Sequence, residues 1–574
     1  MSQRICLVTP YAWSLPHEAN QHLEGLAEAL RVRGHDVVVL TPSGRATELQ
    51  AGRRALHRGD LSGTVAIAPA LPVSTRTAVA LPVGLRANVR RALAFGNFDV
   101  VHAIDPVAPG LSALALLEAE VATVATFLDP WVPSAPRKRW RDRLLARIDV
   151  LTAPDATRAA EASKHFPGHY RFVPEGVTPF PETGKERLVV VETTAAAIPA
   201  ARATLRALAA LPGWEATLLR TVRLAARPAI PAIVRGRVRV ATADTPAARR
   251  SLLARAAIVV AAPGGSHRLQ LEARAAGCAL ITASAGAAGA EQTAAELLRL
   301  VSDPDALAAT AATGRGEAEI SFADEADRYA TLYAEATARP RPPRQRGRDP
   351  LAGRDWIVAD LHMHTSWSHD CTMDVPEILD RAEAQGLGAI AITDHNVFGG
   401  ALEAVAAARS RDLVVIPGEE VKTDGQGEVI GLFLQREIPR GMPFADTVAA
   451  IREQGGIVYV PHPFDRMHAI PSPATLHRHL AEIDVLEVYN ARLLFEGYND
   501  EALRFARKYR LLQGAGSDAH VLQGIGTGAV RMRRFGDPEE FLLSLRTAEV
   551  LRRPKSLAFL QARKWVAQVK EKVR

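Results

Sequence analysis

Five strand-like runs in the last two-fifths of the chain each end in histidine or a carboxylate. WIVADLHMHTSWSHD (356–370) closes on His362-x-His364, with His369 and Asp370 on the following loop. GAIAITDHN (388–396) ends in Asp394-His395, and LVVIPGEEV (413–421) in Glu419-Glu420. IVYVPHPFD (457–465) ends in His462 and Asp465, and LLQGAGSDAH (511–520) in Asp518-x-His520. Residues two apart on a strand share a side, so His362 and His364 can approach one cation together. A lone strand-end histidine is more often a capping residue, but five such ends in strand order point to a metal site. Imidazole and carboxylate without thiolate suit Zn, Mn or Fe rather than Ca or Cu(I). Cys371 is a single thiol among hard donors and is read as incidental. The donors outnumber the four that one zinc takes, so two or three divalent ions are expected.

Such donors need a frame that gathers them. Groups at the C-terminal ends of parallel strands converge on the mouth of a βα barrel. The intervening segments 375–385, 444–454 and 499–509 carry apolar stripes at helical spacing, as that frame requires. In their order, DLHMHTSWSHD, ITDHN, PGEEV, PHPFD and GSDAH resemble the PHP superfamily of metal-dependent phosphoesterases over about residues 355–535. The resemblance implies a distorted (βα)7 barrel. It implies a first ion on His362, His364, Glu420 and Asp518, with Glu420 bridging to a second ion on His462. Asp370, His395 and His520 would hold a third. His369 remains an alternative to Asp370, and Glu419 to Glu420. Where many relatives carry a histidine at the start of the next strand, this chain has Glu428, a donor of different charge.

The implied reaction is hydrolysis of a phosphomonoester or phosphodiester, with a metal-bridging hydroxide attacking phosphorus in line. Asp518 or Asp465 is expected to handle protons. Lys422, Arg466 and Arg492 are the candidates to bind substrate phosphate. The expected partner is a phosphorylated small molecule or oligonucleotide: a nucleotide, a short oligonucleotide or a phosphorylated sugar conjugate. No stable nucleic-acid partner is expected.

Upstream, ICLVTP (5–10), DVVVLTP (36–42) and DVVHAI (99–104) read as buried parallel strands, and 20–33 as a helix stopping at Gly34. RLVVVE, GRVRVATA, AAIVVAA and CALITA mark a second α/β unit. Two such units predict two Rossmann-like domains. ICLVTPYAW, NQHLEGLAEALRVRGHDVVVLTP, FDVVHAIDPVAPG, FVPEGVTPF and LEARAAG make residues 3–335 resemble family 4 glycosyltransferases of the GT-B fold. The positions that would hold a nucleotide-sugar donor depart from that family. Pro16-His17-Glu18-Ala19 stands at its Gly-Gly loop, and Phe127 is followed by Leu128 rather than histidine. The window RLVVVETTAAAIPAARA offers no lysine and only Arg202; of the paired glutamates Glu272 is kept, and Gly265 stands at the other. An unpaired diphosphate in a cleft costs on the order of several kcal/mol. The expectation is a transferase-like region without transfer activity. The alternatives are a bifunctional protein with an active transferase domain and a non-enzymatic scaffold.

The 574 residues are 48% hydrophobic and 23% charged, which excludes a wholly disordered chain. Seventy basic and 63 acidic residues give +7, too mild over this length to call for nucleic acid. No long uncharged apolar run and no secretory leader is visible, and Cys6, Cys278 and Cys371 form no disulfide framework, so a cytoplasmic protein is expected. ARPRPPRQRGRDP marks the main boundary. The expected domains are 1–183 and 184–337 (Rossmann-like), 338–354 (Pro/Arg linker), 355–550 (barrel) and 551–574. That last segment is a basic amphipathic helix able to touch an anionic membrane, though more often docked on its own domain.

Overall fold

The apolar runs of the first half become parallel strands because, covered on both faces by helices, they have no solvent face to alternate towards. The computed structural model describes residues 2–553 except 16, 73–77, 108–109, 129–135, 182–183, 221–227, 243–244, 263–264, 318–319, 339–348 and 466. Most of the Pro/Arg linker, Arg466 and the tail from 554 onward therefore lie outside the described residues. The chain divides into two compact units, Met1–Pro136 with Ile148–Ala338, and Arg137–Arg147 with Arg339–Arg574.

The first unit holds two Rossmann-like sheets. The eight-stranded one runs Ala78–Ala80, Thr64–Pro72, Asp36–Ser43, Arg4–Val8, Val100–Ile104, Ala122–Thr126, Val150–Ala153, Tyr170–Phe172, parallel except for the first pair. The five-stranded one runs Val238–Thr242, Glu215–Arg220, Glu186–Glu192, Ala256–Ala261, Ala279–Thr282, all parallel. The helix Phe322–Ala338, which follows the second sheet in sequence, buries Ala326, Tyr329, Leu332 and Tyr333 in the core of the first. Its Tyr333 hydroxyl meets His102 Nδ1 at 2.6 Å.

In the second unit, seven strands form a nearly closed barrel: Trp356–Met363, Ala389–Ile392, Val414–Lys422, Glu428–Leu432, Ile457–Val460, Val485–Asn490 and Leu512–Gly516. Closure follows from the Asp518 N–H donating to the His362 carbonyl at 2.8 Å and the His364 N–H to the Ala519 carbonyl at 3.2 Å. Alternating residues serve two cores. Ile390 and Ile392 pack with helix residues Leu379, Phe444 and Phe505, while Ala389 and Ala391 share a cluster with Ala359, Tyr459 and Val485. The distortion is a tight hairpin: Glu428–Leu432 runs antiparallel to both neighbours. Reversing one strand puts its first residue, Glu428, at the end where the other strands finish. A further antiparallel pair, Gly528–Arg533 and Glu549–Arg552, extends the sheet beside Trp356–Met363.

The helix Lys138–Leu145 falls inside the segment expected to belong to the first Rossmann-like domain, yet Arg137–Arg147 groups with the barrel. There Lys508 donates to the Arg147 carbonyl, and His477 Nε2 lies 3.1 Å from the Ala146 carbonyl.

Candidate metal centre

Most of the donors stand at or just beyond the C-terminal ends of their strands, while Glu428 begins the reversed strand Glu428–Leu432. In Trp356–Met363 the register shifts between Asp360 and Met363, re-aiming the strand end. Asp360 holds this bend by accepting the Ser517 and Gly526 N–H groups, each at 2.9 Å. The Nε2 atoms of His362 and His364 come to 3.2 Å. The Ser368 hydroxyl lies 3.3 Å from His364 Nδ1, donates to Asp394 at 2.9 Å and receives the His395 N–H at 2.9 Å.

Glu420 is the hub. Its Oε2 lies 3.3 Å from His362 Nε2, 3.1 Å from His395 Nδ1 and 3.6 Å from His364 Nε2, and its Oε1 3.0 Å from His462 Nε2. Glu428 Oε2 is 4.0 Å from the same His462 nitrogen. Asp518 Oδ1 is 3.4 Å from both His364 Nε2 and His520 Nδ1, and His520 Nε2 is 2.9 Å from Asp370 Oδ2. His462 and Asp518 both adopt positive φ, +27° and +49°, in the strained left-handed region.

The geometry separates the alternatives left by the sequence. Asp370 reaches His520 and His395, whereas His369 is exposed. Glu419 turns away and accepts the Ile438 N–H at 2.8 Å. Cys371 directs its thiol to the His364 carbonyl. Asp465 stands apart from the donor clusters, paired with His468 Nδ1 at 2.7 Å; the His468 ring stacks on that of His462 with centroids 4.5 Å apart. Arg492 donates to Asp518 at 3.2 Å, while Lys422 is exposed at the end of its strand.

The sequence reading places no strand at Val485–Asn490 and so misses two residues. Glu487 Oε1 lies 3.0 Å from His362 Nδ1, and Oε2 accepts the His462 N–H at 2.7 Å. Asn490 bridges Glu487 and Asp518, at 3.0 and 3.2 Å. The available signal was one acidic residue inside an apolar run, VLEVY.

Charges in this cavity are set by one another. Burial would lift Glu420 and Asp518, but surrounding histidines, and Arg492 beside Asp518, hold both well below the usual carboxylate range. Burial opposes a charge on His362, yet Glu487, Asp518 and Glu420 raise it well above the ordinary imidazole value. His364, buried among other imidazoles, is held well below that value. Burial, with Glu420 nearby, raises Glu428.

Divalent cations fit these residues. Four donor triads have their ligand atoms within 4.8 Å of one another: His364/His395/His520, His362/His364/Glu420, His362/His462/Asp518 and His395/Glu420/Glu428. Buried Glu428 Oε2 has no hydrogen-bond donor among the described residues. A shielded carboxylate oxygen without a donor is costly, and a cation offsets that cost.

In the first unit the second glutamate of the expected donor pair is sequestered. Glu272 binds Arg249 through Oε1 at 2.8 Å and Arg268 at 3.0 Å. Leu128 is buried, its N–H donating to Asp105 at 2.7 Å, and Arg202 is exposed. No helix among the described residues is long and apolar enough to cross a membrane.

Comparison with known proteins agrees with both halves. Residues 19–179 match Glycosyltransferase Family 4, residues 360–494 the PHP domain and residues 496–550 the PHP-associated domain. The chain is 32% identical over 214 residues to the uncharacterized protein MJ0417 of Methanocaldococcus jannaschii, covering 35% of this chain and 85% of that protein. It is 34% identical over 174 residues to a phosphatidyl-myo-inositol mannosyltransferase of Propionibacterium freudenreichii, covering 29% of this chain and 44% of that enzyme. Among solved structures, Anabaena Alr3699/HepE in complex with UDP-glucose is similar at 13% identity and a TM-score of 0.41, covering 58% of this chain and 100% of that one. The chain belongs to the PHP family through its C-terminal barrel, which follows a glycosyltransferase family 4 region.

Proposed function

We propose that the barrel is a metal-dependent phosphoesterase acting on a phosphorylated small molecule or short oligonucleotide. The observation that supports it most is the convergence of imidazoles and carboxylates from successive strand ends on Glu420. His362, His364, Glu420 and Asp518 would hold one ion, Glu420, His462 and Glu428 a second, and Asp370, His395 and His520 a third. When bound, such ions lower the pKa of water towards neutrality and neutralise phosphoryl oxygens.

The chain's own groups prepare this site. Glu487 accepts a hydrogen bond from the Nδ1–H of His362, which would leave Nε2 to face a bound ion. Ser368, held by Asp394, sets the His364 ring in the same way. Arg492 at the rim presents a planar cation to the non-bridging oxygens of a substrate phosphate, its charge kept by Asp518 and Asp370. Ionised Asp518 accepts a proton or hydrogen bond and donates none.

Elemental analysis of the purified protein, followed by turnover of phosphomonoester and phosphodiester panels with Mn and Zn, tests the reading. Metal-free protein without turnover on either panel sinks it. We infer that the family 4 region does not transfer sugar, because the groups that would neutralise a donor diphosphate are absent or already paired. Sugar transfer from a nucleotide-sugar donor would overturn that part.

A further inference from the structure

Ala262 and Ser266, two described residues between the strand Ala256–Ala261 and the helix His267–Ala275, already hold a carboxylate. Glu192, at the end of Glu186–Glu192, is 1% exposed. Its Oε2 accepts the Ala262 N–H at 3.0 Å and its Oε1 the Ser266 N–H at 2.9 Å. Ser266 is the N-cap of the helix, so a carboxylate sits where free amides and the helix dipole favour negative charge. Gly265 precedes Ser266, and a Cβ built there would stand 2.1 Å from Glu192 Oε2. A side chain at that position would have to push the Glu192 carboxylate off its two amides. Glu18, in the segment that replaces the Gly-Gly loop, lies against Ser266 and adds a second acidic group.

We propose that Glu192 is a built-in occupant of the anion cradle of the N-terminal unit and shuts out the diphosphate of a nucleotide ligand. The proposal rests on the reading that this unit does not transfer sugar and supplies its structural cause. A diphosphate would have to displace two charge-assisted hydrogen bonds and then sit beside an expelled carboxylate. Removing the side chain frees two amides and the space beside Gly265, leaving a latent phosphate site.

The test uses the full chain and the α,β-methylene analogue of UDP, whose bridge resists hydrolysis at the barrel. Hydrogen exchange is followed in peptides covering 256–275. Wild type is expected to show no protection at millimolar analogue, and Glu192→Gly and Glu192→Ala to show saturable protection there. Thermal melting with inorganic sulfate is the second readout: sulfate raises the Tm of folded proteins generally, and it is expected to raise that of either variant further than that of wild type at the same concentration. Folded variants that respond to neither anion more than wild type does overturn the Glu192 proposal alone. Protection of wild type equal to that of the variants overturns both the proposal and the reading beneath it.

Discussion

Glu487 and His362, 125 residues apart, meet through Oε1 and Nδ1 at 3.0 Å, and both side chains are fully buried. The same carboxylate receives the His462 N–H and the Tyr459 hydroxyl. One side chain thus orients an imidazole donor and fixes the backbone of another. Glu487→Gln is expected to lower metal affinity about 10–100-fold. Competition against a chelator measures this directly, and wild-type affinity in the variant would refute the role.

Glu428 brings a carboxylate beside His462, and its Oε2 has no hydrogen-bond donor among the described residues. Glu428→Gln is expected to remove about one ion per chain while leaving the others bound. Inductively coupled plasma analysis after gel filtration reads the stoichiometry. Glu428→His is expected to keep the ion and shift preference from Mn towards Zn.

Arg492 is proposed to bind substrate phosphate. Losing a hydrogen bond between charged groups costs about 1.5–3 kcal/mol, so Arg492→Ala is expected to raise KM about 10–100-fold. Metal content should stay unchanged. A lost ion with unaltered KM would make Arg492 structural.

Gly516 has no room for a side chain. A Cβ there would lie 2.3 Å from His362 Cβ and 2.9 Å from Glu487 Oε1. Gly516→Ala is expected to destabilise the barrel by about 1–3 kcal/mol and to lower metal occupancy with it. Urea unfolding and metal analysis on the same sample check both effects.

His102 predicts a pH response in the first unit. Burial, with a contribution from His22, depresses its pKa to about 3, and it bonds Tyr333 and Thr126 as a neutral ring. The folded state refuses a proton that the unfolded chain accepts below its ordinary value near 6.5. Stability is therefore complete above that value and falls as pH drops from about 6.5 towards 3, by about 2 kcal/mol at pH 5. His102→Gln should be less stable at neutral pH but lose less on acidification. Hydrogen exchange of Val100–Ile104 at the two pH values separates these outcomes.

The cluster was readable in the sequence because barrel chemistry gathers at strand ends, and a strand end is a short local pattern. His362-x-His364, Glu420 and Asp518-x-His520 each sit inside an apolar run that stops. Glu487 was not readable for the converse reason: it lies within its strand, and only closure of the sheet brings His362 to it. The choice between Asp370 and His369, and between Glu420 and Glu419, depends on which way a side chain leaves the backbone, which spacing alone does not determine. The return of Phe322–Ala338 to the first sheet escaped for a similar reason, since its apolar stripe fits either core.

The assignment of Arg137–Arg147 to the barrel unit bears on where this polypeptide can be divided. Lys508 is wholly shielded from water and donates to the Arg147 carbonyl, and Arg143 pairs with Glu501. A fragment starting at Asp355 would strip that ammonium of its carbonyl acceptor. Severing the polypeptide at its proline-rich joint would thus yield a wounded hydrolase, and an intact one must inherit a helix encoded some two hundred codons upstream.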